Sequence, residues 1–194
     1  MVREGSKQSQ RRERQAMNLF ATSPEWIVWL LVALLAVATI QDAVQLRISN
    51  IISGSVLILA VVAMVMSGFQ ASVWQNAVVF AVVLTIGTLL FSRNILGGGD
   101  VKLFAAVALW ADFASALQLI ASILIAGGIL AIIIITLRLL APKKLTSRVK
   151  TLQPRAGIPY GIAIAAGTLL VLALPGPSET QVPYAPIHLP VQVR

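Results

Sequence analysis

The chain has 194 residues, of which 58% are hydrophobic and only 11% charged; soluble domains carry about 25% charged residues, so an ordinary soluble fold is excluded. One membrane domain accounts for this length, without room for a second globular one. The net charge of +8 sits in short tails and loops beside apolar segments, which points to membrane topology and anionic lipid rather than to nucleic acid.

Residues 1–23 are polar and basic, with Arg11, Arg12 and Arg14 close together, and read as a disordered or surface-lying tail. The apolar stretch that follows is too long for a signal-peptide core and has no clean cleavage site after it, so an uncleaved first helix is expected. A bilayer span needs about 20 mainly apolar residues. Candidate spans are Trp26–Leu46, Ile51–Gly68, Val73–Ser92, Val101–Ala111, Phe113–Leu140 and Ile158–Leu174. The stretch from Val101 to Leu140 would make roughly 60 Å of helix, so it is divided at Asp112, a good helix N-cap. The expected architecture is an all-α integral membrane protein, a bundle of six transmembrane helices with a short fourth helix of about 16 Å. The membrane domain then covers residues 24–174, and residues 175–194, with five prolines, read as an extended tail.

Between Trp26 and Leu174 there are only three acidic residues, Asp42, Asp100 and Asp112. A carboxylate beside lipid is costly, and one that persists there is a candidate functional group. With six spans, Asp42 at the end of the first and Asp100 at the start of the fourth share one face of the membrane. Asp112 falls on the other face and is left as a cap. The carboxylate face carries nine Lys and Arg residues and the opposite face six, which favours the carboxylate face as cytoplasmic. Trp26, Trp29, Trp74 and Trp110 all fall near the opposite face, as one interfacial belt would.

The chain has no cysteine, which removes disulfides, thiolate metal sites and cysteine nucleophiles. Its single histidine, His188, lies in the Pro-rich tail and has no second histidine with which to share a metal. A Ser-His-Asp triad is thereby disfavoured. Two neighbouring carboxyls, however, suffice to activate water for peptide hydrolysis. One takes a proton from water while the other hydrogen-bonds the scissile carbonyl, and since like charges a few ångströms apart resist joint ionisation they share one proton. Gly97, Gly98 and Gly99 before Asp100 permit positive φ and a close approach of substrate backbone. Near Asp42, Arg47 suits snorkelling to headgroups, and Ser49 and Asn50 suit the cap of the next helix. Lys102 points away from Asp100, toward headgroups or across the bundle toward Asp42. Pro159 suits a helix start, the small residues Gly161, Ala163, Ala165 and Gly167 suit close helix packing, and the Tyr160 hydroxyl is a candidate partner for a carboxyl or substrate.

Three motifs in this order, Asp42 with Arg47-Ile48-Ser49-Asn50, Gly97-Gly98-Gly99-Asp100-Val101-Lys102-Leu103, and Pro159-Tyr160-Gly161-Ile162-Ala163, resemble the type IV prepilin peptidase family. These are Gly-x-Gly-Asp intramembrane aspartic peptidases. The resemblance implies that Asp42 and Asp100 are the catalytic pair and that the substrate is a prepilin-like precursor. Its basic leader would be cut off, typically after a glycine, at the cytoplasmic face of the cell inner membrane, with no metal or other cofactor. Members of the family often have Ile-Pro-Asn where this chain has Ile48-Ser49-Asn50. Larger members add a cytoplasmic domain with paired Cys-x-x-Cys motifs and methylate the new N-terminus. This cysteine-free chain is similar to the short stand-alone forms that serve tight-adherence (Flp) pili, which implies peptidase without N-methyltransferase activity. Two other readings fit an intramembrane carboxylate pair. One is a small proton-coupled transporter, which the lack of an internal repeat disfavours. The other is a non-catalytic scaffold in which the acids pair with Arg47, Arg93 or Lys102.

Overall fold

A computed structural model describes residues 18–68, 73–140 and 157–174. Met1 to Met17, the basic residues from Lys143 to Arg155 between the last two helices, and the Pro-rich stretch with His188 lie outside the described residues. Seven helices and no strands occur among the described residues: α1 (Leu19–Thr22), α2 (Glu25–Gln45), α3 (Asn50–Met66), α4 (Val73–Ser92), α5 (Gly98–Ala108), α6 (Phe113–Leu140) and α7 (Tyr160–Ala173).

The helices are apolar nearly all round, as lipid on the outside and protein on the inside both require. Leu117, Ile132 and Leu139 on α6, Ile40 and Val44 on α2 and Ile58 on α3 all face outward. By length and composition α2, α4 and α6 are each able to cross a membrane. Helices α3 and α7 are apolar but shorter, and α5, with 11 residues, rises only about 16 Å.

Around the bundle the neighbours run α2, α3, α5, α4, α6, α7 and back to α2, and α5 also touches α7. The short helix is thus packed from three sides. Val101, Leu103 and every residue from Ala105 to Ala111 are buried. The small side chains of this run let the neighbours approach, the arrangement that drives helix association where lipid removes the hydrophobic incentive. Gly167 does the same between α7 and α6, where a Cβ would lie 2.6 Å from Cα of Ile123.

The two ends of α5 differ. Beyond its C-terminus, Trp110 is fully buried. Its indole N–H donates to the Val56 carbonyl (3.4 Å), its own carbonyl accepts from the Leu19 N–H (3.1 Å), and Phe20 stacks on it at 6.0 Å. Trp110 therefore leaves the expected interfacial belt; Trp26, Trp29 and Trp74 keep the exposed positions that such a belt requires. Leu19 and Phe20, expected in the polar tail, instead plug this end, because the Asn18 side chain caps a single turn by accepting from the Phe20 N–H (3.1 Å). Asp112 caps α6 as expected. Its Oδ1 accepts from the backbone N–H (2.8 Å) and the hydroxyl of Ser115, and the Ser115 Oγ accepts in return from the Asp112 N–H, a reciprocal capping arrangement.

Candidate active site

The other end of α5 gathers the remaining two membrane carboxylates. Asp42 lies one turn before the end of α2 and is 3% exposed. The helix closes on Leu46 in the left-handed conformation (φ 54°, ψ 34°), whose N–H returns to the Asp42 carbonyl at 2.8 Å. Three residues then lead to α3. Ser49 is its N-cap, with the hydroxyl accepting from the Ile51 N–H (3.2 Å), and the Ser49 N–H donates to Oε1 of Gln41 at 2.8 Å. That bond ties the turn back to α2 and fixes Ile48, which is buried.

Ile48 is the wedge of the site. A Cβ on Gly99 would lie 2.9 Å from the Ile48 carbonyl oxygen and 3.2 Å from its nitrogen. A Cβ on Gly161 would lie 2.8 Å from the Ile48 Cδ1 and 2.8 Å from Oδ2 of Asp42. The start of α5, the α2–α3 turn and the start of α7 therefore meet at one point because two glycines leave space for one isoleucine. The Gly161 N–H donates to Oδ2 of Asp42 at 2.7 Å. A first-turn N–H has no partner within its own helix, and here Asp42 supplies one.

Asp100 occupies the first turn of α5. Its carboxylate turns back on the helix start, and a Cβ on Gly97 would lie 2.7 Å from its Oδ2. Its helix start and Asp42 share one corner, since Gly99 of α5 packs on Ile48 and Ile48 meets Gly161, whose N–H holds Asp42. The glycines work differently from the expectation. None of Gly97, Gly98 and Gly99 has positive φ, and Gly98 and Gly99 are already helical. They are needed for close approach, Gly98 to the Phe91 ring (3.3 Å) and Gly99 to Ile48.

Asp100 also lies in the wall of two cavities. One, of about 370 Å³, is bounded by Leu46, Arg47, Ile48, Gly97, Gly98 and Gly99. The other, of about 280 Å³, runs between α4, α5, α6 and α7 and has Leu96, Phe104, Leu124, Gly128 and Tyr160 in its walls. Of the residues singled out in the sequence, Arg47 and Tyr160 thus border Asp100 through these cavities. Lys102 and Asn50 do not reach them. The Lys102 ammonium donates to Oδ1 of Asn50 at 2.9 Å, so Lys102 is not turned to Asp42, and Asn50 is the first residue of α3 rather than its cap. Among the described residues no three His, Asp or Glu side chains gather as metal ligands.

Three contributors escaped the sequence reading. Gln41 carried no motif. Ile48 lay within a motif without a role of its own. Gly161 read as helix packing, although Pro159 starting a helix signals free N–H groups just after it.

The profile of the type IV leader peptidase family matches residues 29–136, a segment running from the first turns of α2 into α6 and containing both carboxylates. The chain belongs to this family. It is thus a leader-peptidase-type protease that acts on peptide substrates, and its long apolar helices are those of a membrane protein. No curated protein and no solved structure matches the chain.

Proposed function

We propose that the chain is an intramembrane aspartic endopeptidase that removes the basic leader from type IV prepilin-like precursors at the cytoplasmic face of the inner membrane, with Asp42 and Asp100 as its catalytic pair. The observation that supports this most is that two membrane carboxylates from distant segments come to one corner of the bundle, with Asp100 in the walls of two cavities. In this mechanism one carboxylate takes a proton from a water while the other, protonated, donates to the scissile carbonyl oxygen. The water oxygen bonds to the carbonyl carbon and a tetrahedral diol forms. The first carboxyl then gives its proton to the leaving nitrogen, the second takes one back from the diol, and the C–N bond breaks. The pair ends as it began, with one shared proton that belongs to neither acid alone. Arg47 and Tyr160 border the substrate, Gly97 to Gly99 hold Asp100 against the α2–α3 turn, and Lys102 with Asn50 clasps the starts of α5 and α3. Membrane lipids surround a domain of residues 24–174 joined by the α1 turn, with α2 to α7 as its six membrane helices.

The test is co-expression with a precursor bearing a basic leader, a glycine and an apolar helix. Leader loss is read by gel shift. Asp42→Asn and Asp100→Asn should each lower processing about 100-fold or more while the protein accumulates normally. Unchanged processing in either variant overturns the assignment; loss of the protein itself favours a scaffold. Purified protein given S-adenosylmethionine and processed product should transfer no methyl group.

A further inference from the structure

Helix α5 carries Asp100 in its first turn and runs out at its far end into Leu109 and Trp110. The last carbonyls of a helix have no partner within it, and a buried one must find a donor elsewhere. The Val107 and Ala108 carbonyls take the N–H groups of Trp110 and Ala111, at 3.0 and 3.1 Å. The next two are reached from other helices. The Asn76 side-chain amide of α4 donates to the Leu109 carbonyl at 3.1 Å, and the Leu19 N–H of α1 donates to the Trp110 carbonyl at 3.1 Å. Asn76, Leu19 and Trp110 are all fully buried, so bulk water cannot replace either donor. Resting on the peptidase reading above, we propose that Asn76 and the Leu19 N–H are positioning groups for the reaction: they fix how far α5 extends toward the α2–α3 turn, and so where Asp100 stands relative to Asp42.

The two ends of α5 are held unequally. At the start, Asp100 borders two cavities, and Gly98 and Gly99 pack on the Phe91 ring and on Ile48. Such contacts stop the helix from advancing into the turn. They do little to keep it from withdrawing, because each attraction is shallow. At the other end every residue from Ala105 to Ala111 is buried. Hydrogen bonds, which have a defined length and direction, tie that end to α4, to α1 and, through the Trp110 indole N–H, to the Val56 carbonyl of α3 (3.4 Å). Uninterrupted helix joins the two ends, with a fixed rise per residue, so a displacement at Leu109 is carried to Asp100. Without the Asn76 amide the Leu109 carbonyl stays unmet in the interior, which is costly, and the end of α5 moves to relieve it.

The test measures kcat and KM per folded molecule, with full-length protein in lipid nanodiscs and a synthetic precursor bearing a basic leader, a glycine and an apolar helix. Asn76→Leu keeps the branched shape and removes the donor. It should lower kcat roughly tenfold or more, as a misplacement of under about 1 Å does, and leave KM unchanged. Leu35→Ala is the control for stability alone. Leu35 is buried in α2, whose neighbours are α3 and α7, so this variant should melt earlier yet keep its kcat. A second pair isolates the backbone donor. Leu19 opens α1, and Asn18 before it is extended (ψ 98°), a setting that suits proline. Leu19→Pro deletes the N–H, whereas Leu19→Ala shortens the side chain and keeps the N–H. At equal KM, the kcat of Leu19→Pro should lie roughly tenfold below that of Leu19→Ala. An Asn76→Leu protein that melts earlier but keeps its kcat, a loss confined to KM, or an equal loss in Leu35→Ala overturns the anchor. So does a Leu19→Pro protein no slower than Leu19→Ala, and that pair decides alone if Asn76→Leu does not accumulate. If Asp42→Asn and Asp100→Asn still cleave, the peptidase assignment has failed; if they do not cleave and the anchor variants keep their kcat, the anchor alone has.

Discussion

At the level of single residues, the site depends on atoms that are missing. Asp42 is held by the backbone N–H of Gly161 at 2.7 Å. Alanine at 161 would put a methyl carbon 2.8 Å from the same carboxylate oxygen and 3.1 Å from the Asp42 Cβ. The Ile48 methyl that would also be met can rotate away. Asp42 has less freedom, being attached to a helix backbone on one side and to this N–H on the other. Gly161→Ala should therefore displace the carboxylate and lower cleavage at least tenfold, since misplacement by about 1 Å costs on the order of 100-fold, with little change in the amount of folded protein. Gly54 offers the control. It is a helical glycine with nothing within 4 Å of a Cβ, so Gly54→Ala should keep full activity and raise stability by up to about 1 kcal/mol, the difference in helix propensity. Parallel assays of the two variants in the same membranes check this. Equal activity in both would mean that Asp42 does not need the position it holds here.

At the level of elements, the α2–α3 turn carries most of the geometry, and it shows what the sequence could and could not disclose. The apolar runs fix helix positions closely because lipid tolerates few interruptions; Val73–Ser92 and Phe113–Leu140 match their expected bounds. The two carboxylates were legible for the same reason. What could not be read was how loops and helix starts pack. The glycines before Asp100 fell outside the expected helix, but α5 begins three residues earlier than expected, and there Gly99 gives Ile48 its bare backbone. Trp110 looked interfacial because the burial that Leu19 and Phe20 give it is a matter of tertiary contact. Ser49, where proline is frequent in the family, has φ −68°, a value that proline also adopts. Serine, however, contributes an N–H to Gln41 and a hydroxyl to Ile51. Losing both bonds costs about 1–3 kcal/mol, while the stiffer unfolded chain returns only about 0.4–1 kcal/mol. Ser49→Pro should thus destabilise the protein by about 1 kcal/mol. Gln41→Ala should cost a similar amount alone and much less in the Ser49→Pro background, because the bond it removes is already gone. Thermal melts of the four proteins in detergent measure that coupling; strict additivity would mean that the Gln41 bond does not hold the turn.

At the scale of the whole molecule, the question is which side of the membrane receives the carboxylates. One end of the bundle has Asp42, Asp100, Arg47, Arg93 and Lys102, together with the Arg138 guanidinium that joins the end of α6 to the Gly157 carbonyl at 3.2 Å. The other end has Trp26, Trp29 and Trp74 exposed and the buried Trp110 plug. On the six-span arrangement proposed above, the sequence assigns nine basic residues to the first side and six to the second, and Lys and Arg near span ends set orientation, so a cytoplasmic site is the expected outcome. Five of the six opposing charges, however, lie in the first 14 residues, so the two ends compete. The cysteine-free sequence makes the outcome measurable. Ser92, at the end of α4 beside the Asp100 helix, and Thr22, the last residue of α1 at the opposite end, are both exposed. In intact cells a membrane-impermeant thiol reagent should label Thr22→Cys and spare Ser92→Cys until the membrane is opened. The reverse pattern would put the carboxylates outside. It would also mean that the N-terminal arginines outweigh the basic residues that lie in sequence between α6 and α7. A precursor whose leader is held in the cytoplasm by its own positive charge would then never meet the site.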